Sequence, residues 1–89
     1  MVQELLGLQE ILQHENYWVC EISHMQMSVR CKKFATELTI EFRRGDDIKR
    51  DKDTYVVTSS DGLQSIFVNT QEEVMNILFL VRHSTGMRK

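Results

Sequence analysis

Apolar residues recur along this chain with two different periods, and the change from one to the other divides it into three parts. Over residues 2–14, Val2, Leu5, Leu6, Leu8, Ile11 and Leu12 fall on one broad stripe of a helix. Leu5, Leu8 and Leu12 also fit heptad spacing, but fewer than two heptads make no coiled coil. A helix packed on its own domain is the expectation.

From Tyr17 to Val68 the period becomes two. Met25, Met27, Val29 and Cys31 alternate with Gln26, Ser28 and Arg30, and Leu38, Ile40 and Phe42 alternate with Glu37, Thr39, Glu41 and Arg43. Residues 54–59 and 63–68 alternate more weakly but are rich in Val, Thr, Ile and Phe. Asp61 and Gly62 are the strongest turn signal, because a two-residue hairpin needs a positive φ that Gly accepts without strain.

Pairing arithmetic fixes a register. A first loop at 32–35 and a last turn at Asp61 and Gly62 set Val29 against Leu38, Met27 against Ile40, Met25 against Phe42, Val57 against Ile66 and Tyr55 against Val68. Joining Phe42 to Tyr55 and Ile40 to Val57 puts these apolar residues on one face, and a one-residue slip would set apolar against polar. The opposite face then pairs Arg30 with Glu37, Ser28 with Thr39 and Thr39 with Thr58, and it places Val56 beside Phe67. One irregularity remains. Trp18, Cys20 and Ile22 share one phase and Met25, Met27 and Val29 the other, so either the chain turns at Ser23 and His24 or one long strand carries a bulge there. Ser-His lacks the Gly or Asn of tight hairpins, which favours the bulge.

Past Val68, Val74, Ile77, Leu78 and Val81 return to helical spacing, with Met75, Phe79 and Leu80 widening the stripe. Thr70 and Glu73 ahead of them form a capping box, and the helix is expected to stop near Ser84–Gly86. The fold class is therefore α+β: an N-terminal helix, a four- to five-stranded antiparallel meander and a C-terminal helix, both helices on one sheet face and the other face open. The helices carry more apolar residues than that face needs, Leu6, Met75, Phe79 and Leu80 being surplus.

Eighty-nine residues make a single domain, residues 1–89. A formal charge of −2 gives no electrostatic case for nucleic acid or an anionic membrane. No apolar run approaches the roughly 18 residues that mark a membrane span, and no secretory leader pattern is present. Cys20 and Cys31 are too few for a disulfide framework, so reduced, mostly buried thiols and a cytoplasmic or other reducing intracellular setting are expected.

The most charged stretch is the connection from Arg44 to Asp53. Arg43 just before it and Arg44, Lys49, Arg50 and Lys52 within it are mixed with Asp46, Asp47, Asp51 and Asp53, which solvates a loop without attracting much over distance. Arg44, Gly45 and Asp46 spell a tripeptide that engages integrins in extracellular proteins, but Gly and Asp are favoured at turns in any case. A calcium loop started at Asp46 would need Glu where Val57 stands. Cys20, His24 and Cys31 lack a fourth zinc ligand, and His14, His24 and His83 lie on separate elements without a nucleophile elbow or phosphate loop. No catalytic residue, metal or cofactor is therefore expected.

What the residues favour is binding to protein. The expected contacts are Val56 and Phe67 on the open face, with Arg44, Asp46, Lys49 and Arg50 of the connecting loop, aided by an outer strand such as 63–68. Self-association as a homodimer belongs to the same class. A small nucleic-acid-associated protein is the alternative, disfavoured because Phe67 stands alone where an RNA-binding sheet shows an aromatic row. Helix, meander, helix resembles, in element order alone, kinase-associated regulatory domains and the heads of some coiled-coil kinetochore subunits. That resemblance implies a regulatory or adaptor role.

Overall fold

The computed structural model describes residues 1–31, 37–45, 52–59, 62 and 64–87, the side chains of Cys31 and of 81–87 excepted. Two helices flank five strands: α1 (Gln3–His14), β1 (Tyr17–Ser23), β2 (Gln26–Cys31), β3 (Glu37–Arg43), β4 (Thr54–Ser59), β5 (Ser65–Val68) and α2 (Gln71–Met87). The strands form one antiparallel sheet in chain order, so β1 and β5 are its edges.

The expected register is the observed one across β2 to β5. Met27 faces Ile40, Val29 faces Leu38, Ile40 faces Val57, Phe42 faces Tyr55, and Val57 and Tyr55 face Ile66 and Val68. Phe42 N–H also donates to Met25 O at 2.9 Å. Each such pair lies on the face that both helices cover. Leu5, Leu8 and Leu12 of α1 and Val74 and Leu78 of α2 close a single core over Met27, Val29, Ile40, Phe42, Tyr55 and Val57. Phe42 meets Tyr55 edge to face at 5.2 Å between ring centres, a favoured aromatic arrangement.

The helix ends follow local chemistry. At the start of α2, Thr70 Oγ1 accepts from Glu73 N–H at 3.1 Å and Glu73 Oε1 accepts from Thr70 N–H at 3.1 Å, completing the capping box. Bonds to the carboxylate from Asn69 N–H, from the Thr70 hydroxyl and from Thr70 N–H hold Glu73 below its ordinary pKa, the Asn69 bond contributing most. The C-terminal end of α1 passes through Asn16 at φ 70°, the left-handed conformation that Asn tolerates at a helix stop.

Two expectations about turns change. The segment around Ser23 is not a single bulged strand: the chain reverses at His24 and Met25, and β1 and β2 form a hairpin. A bulge is nevertheless present, since the register shifts between Glu21 and Ser23, leaving Ile22 without a partner on β2. Bulges increase strand twist, which lets this hairpin close without a glycine. Met25 N–H bonds to Ser23 Oγ at 3.3 Å, a side chain doing the turn's work. At the last hairpin Gly62 takes φ 74°, as expected, but its N–H reaches back to Ser59 O at 2.9 Å. The expected opposition of Ser60 and Leu63, and the loop at 32–35, lie outside the described residues.

Candidate binding surface

The side of the sheet that the helices leave uncovered is built from the alternate residues of each strand. Its middle row is a line of small polar side chains, Cys20, Ser28, Thr39, Thr58 and Ser65, each opposite the next across the strands. Cys20 is exposed there rather than buried as expected, because its strand position falls on the uncovered face. Thr58 Oγ1 and Ser65 Oγ lie 3.2 Å apart within it. On one side runs a row of Trp18, Arg30 and Glu37; on the other, Gln26, Glu41, Val56 and Phe67. Larger residues thus flank a shallow trough.

Phe67 stands where the pairing placed it, with 57 % of its surface exposed. Val56 lies beside it but is buried to 4 %, so it supports the patch without presenting surface of its own. Arg43 touches both an aromatic ring and a carboxylate of this face. Its guanidinium lies 5.7 Å from the Phe67 ring centre and 3.3 Å from Glu41 Oε1.

Trp18 is the residue that the sequence pattern left unplaced. The hairpin sets it opposite Arg30, on the open face, half exposed, with the Arg30 guanidinium 4.3 Å above its ring. Phe67 is therefore not alone: an aromatic ring with a stacked arginine stands at each edge of the face. Four strand spacings separate β1 from β5, about 19 Å. Counting the pairing back from a turn at His24 would have revealed this, because Trp18 then meets Arg30 rather than the inner row. Among the described residues the same face carries Arg30 and Arg43 against Glu37 and Glu41, and their charges balance.

Of the loop residues, Arg44 turns to the helix side. Its Nη1 lies 3.5 Å from Glu4 Oε2, and its guanidinium lies 5.4 Å from the Phe42 ring, so the structure does not bring it to Phe67. Gly45 N–H donates to Asp53 Oδ1 at 2.7 Å, which closes the base of the loop. Asp46, Lys49 and Arg50 lie outside the described residues. Near Arg44, Gln71 Nε2 donates to Glu4 O at 2.9 Å and ties α2 to α1. Burial raises the Tyr55 hydroxyl above its ordinary pKa, while a hydrogen bond with Gln71 pulls the other way.

Among the described residues no cluster of three or more His, Cys, Asp or Glu side chains converges on one point. A groove of about 70 Å³ lined by Leu38, Val57, Ser59, Gln64, Ile66 and Ile77 is far below the roughly 300 Å³ of small-molecule sites. Outside the core, Leu6, Ile11, Ile66, Phe79 and Leu80 are more than two-fifths exposed, while Met75 packs partly on the core. Three of the four surplus residues thus remain at the surface. No helix among the described residues is long and apolar enough to cross a membrane. Comparison of the chain with protein-family models, with curated proteins and with solved structures finds no match in any of the three.

Proposed function

We propose that this chain is a small non-enzymatic interaction or regulatory module that binds a protein partner across its open sheet face, in the cytoplasm or another reducing compartment. The observation that carries the reading is the pair of exposed aromatic residues, Trp18 and Phe67, each backed by an arginine, at the two edges of one uncovered face. Aromatic residues and arginine dominate protein-binding hot spots because they bury large areas with little rotamer loss and add directional contacts. The row of small hydroxyl side chains between them lets a partner approach the sheet closely. Balanced charge favours a protein over nucleic acid, whose phosphates require a net positive surface.

The test compares the wild-type chain with Phe67→Ser and Trp18→Ser as baits against a cell extract, identifying bound proteins by mass spectrometry. One and the same protein held by the wild type and lost from both variants, with unchanged circular dichroism, is the expected result. Retention of that protein by both variants would remove the open face from the binding reaction. Salt-sensitive capture on heparin or single-stranded DNA that depends on Trp18 and Phe67 would instead favour the nucleic-acid alternative.

A further inference from the structure

The two edges of the sheet are not equally protected. Edge strands expose unpaired backbone groups, and proteins guard them with shortness, charge, proline or bulges; β5, at four residues, has the first of these guards alone. β1 has Glu21 in its second half and the bulge at Ile22. β5, Ser65–Val68, has no charge, no proline and an unbroken register, and Ile66 and Phe67 on it are 46 % and 57 % exposed.

The orientation of the β5 backbone follows from its hairpin. Ser59 N–H donates to Gln64 O at 3.0 Å, so Ser59 and Gln64 occupy a hydrogen-bonded position of the ladder. Such positions alternate in antiparallel pairs. Ile66 and Val68 therefore direct their backbone groups to Val57 and Tyr55, and Ser65 and Phe67 direct theirs away from the sheet. Apolar surface continues beneath the strand on α2, where Ile77 lines a groove with Ile66. Leu80, one turn farther along that flank, is 66 % exposed.

We infer that β5 is the interface between two copies of this chain, paired antiparallel about a two-fold axis at Phe67. A two-fold axis requires that residue i meet j wherever j meets i. With the axis at Phe67, that residue faces itself, Ile66 faces Val68 and Ser65 faces Asn69, whose N–H stays with Glu73 Oε1, so the reciprocal backbone exchange is confined to Phe67. Apolar then meets apolar on both faces of the sheet, and Phe67 exchanges backbone hydrogen bonds with its own copy. Moving the axis to Ile66 would set Phe67 against Ser65 and lose the aromatic pair. No like charges oppose one another along the strand in the Phe67 arrangement. The two five-stranded sheets become one, with both β1 strands at its ends. This pairing shares Phe67 with the open face, but the trapping experiment below reads contact between copies only, whereas the capture experiment reads a different protein.

The test is disulfide trapping in a Cys20→Ser parent, which retains Cys31 and serves as the blank. Directly opposed residues have Cα atoms about 4.5–5.5 Å apart, within the span of a disulfide. Ser65 would lie opposite Asn69 of the other copy but roughly 14 Å from its own counterpart. A mixture of Ser65→Cys and Asn69→Cys proteins should therefore form a crosslinked dimer under mild oxidation, and neither variant alone should do so above the blank. Both leave Phe67 intact. Light scattering should give twice the chain mass for the wild type, and Ile66→Lys should return it to the monomer mass with unchanged far-ultraviolet dichroism. A wild-type monomer from micromolar to near-millimolar concentration would overturn the inference. So would crosslinking of either single variant as fast as the mixture, or a dimer indifferent to Ile66→Lys.

Discussion

Replacing Phe67 by Ser separates a contact residue from a core residue, and the structure supplies the magnitude. Full burial of a Phe side chain stabilises by about 1.5–3 kcal/mol. With 57 % of Phe67 exposed, less than half of that is at stake. The Arg43 guanidinium over its ring adds about 0.5 kcal/mol at such an exposed position, and Val56 would lose part of its cover. The sum is about 1–2 kcal/mol, against a total stability of about 4–13 kcal/mol expected for 89 residues. A domain of this size then loses about 5–15 °C in Tm and stays folded at room temperature. Phe42→Ser is the matched control. Phe42 is 1 % exposed and packed edge to face on Tyr55, so its loss should cost at least the about 3–5 kcal/mol of a buried Phe truncation. Urea titrations followed by tryptophan fluorescence and by circular dichroism measure both variants. A Phe67 variant as unstable as the Phe42 variant would refute the reasoning, because Phe67 would then be part of the core.

Three further outcomes are expected. Thr70→Ala removes the side-chain half of the α2 capping box and should lower stability by about 1 kcal/mol, read as a fall in the urea midpoint without a change in slope. Glu73 has a folded-state pKa below its unfolded value, so its stabilisation is fully present above the ordinary carboxylate range and is lost as pH falls through the lowered value. Thermal melts from neutral to acid pH should therefore show wild type and Glu73→Ala differing at pH 7 and converging in acid; a constant gap would contradict this. Gly7 sits inside α1, and a methyl group there would lie 3.7 Å from Gln71 Nε2, an ordinary contact. Gly7→Ala should accordingly raise stability by up to about 1 kcal/mol through helix propensity, and a loss on thermal melting would mean that the helices cannot accommodate it.

The inner face of the sheet was legible in the sequence because β2 and β3 alternate strictly and the pairing of their neighbours can be checked against them residue by residue. Val29 with Leu38, Ile40 with Val57 and Tyr55 with Val68 follow from that arithmetic alone. The capping box at Thr70 and Glu73 was legible because it is a local motif with its own chemistry. β1 was not, for two physical reasons. The alternation rule treats a large apolar residue as inward, and Trp18 is apolar but outward, stacked under Arg30. The turn at His24 and Met25 carries no glycine, since the neighbouring bulge and the Ser23 hydroxyl replace the usual signal. Half of the candidate surface was therefore hidden, while Phe67 was found. Burial of Val56 depends on what Phe67 and its neighbours cover, a tertiary property that no strand pattern encodes.

The order of the strands carries a consequence for how the chain reaches this structure. Each strand pairs with its immediate sequence neighbour, so every ladder can close as a local hairpin without waiting for distant chain. Topologies of this kind pay little loop-closure entropy and fold quickly for β proteins. Long-range closure falls to the helices, through the Gln71 bond to the Glu4 carbonyl and the Tyr17 hydroxyl bond to Leu78 O at 3.5 Å, spanning 67 and 61 residues. During synthesis the meander can assemble as it emerges, with α1 already beside it, and only α2 must arrive before the core is sealed. Val74 and Leu78 of α2 belong to the same core as Tyr55 and Val57, so that core is complete only when the last element in the chain order has docked.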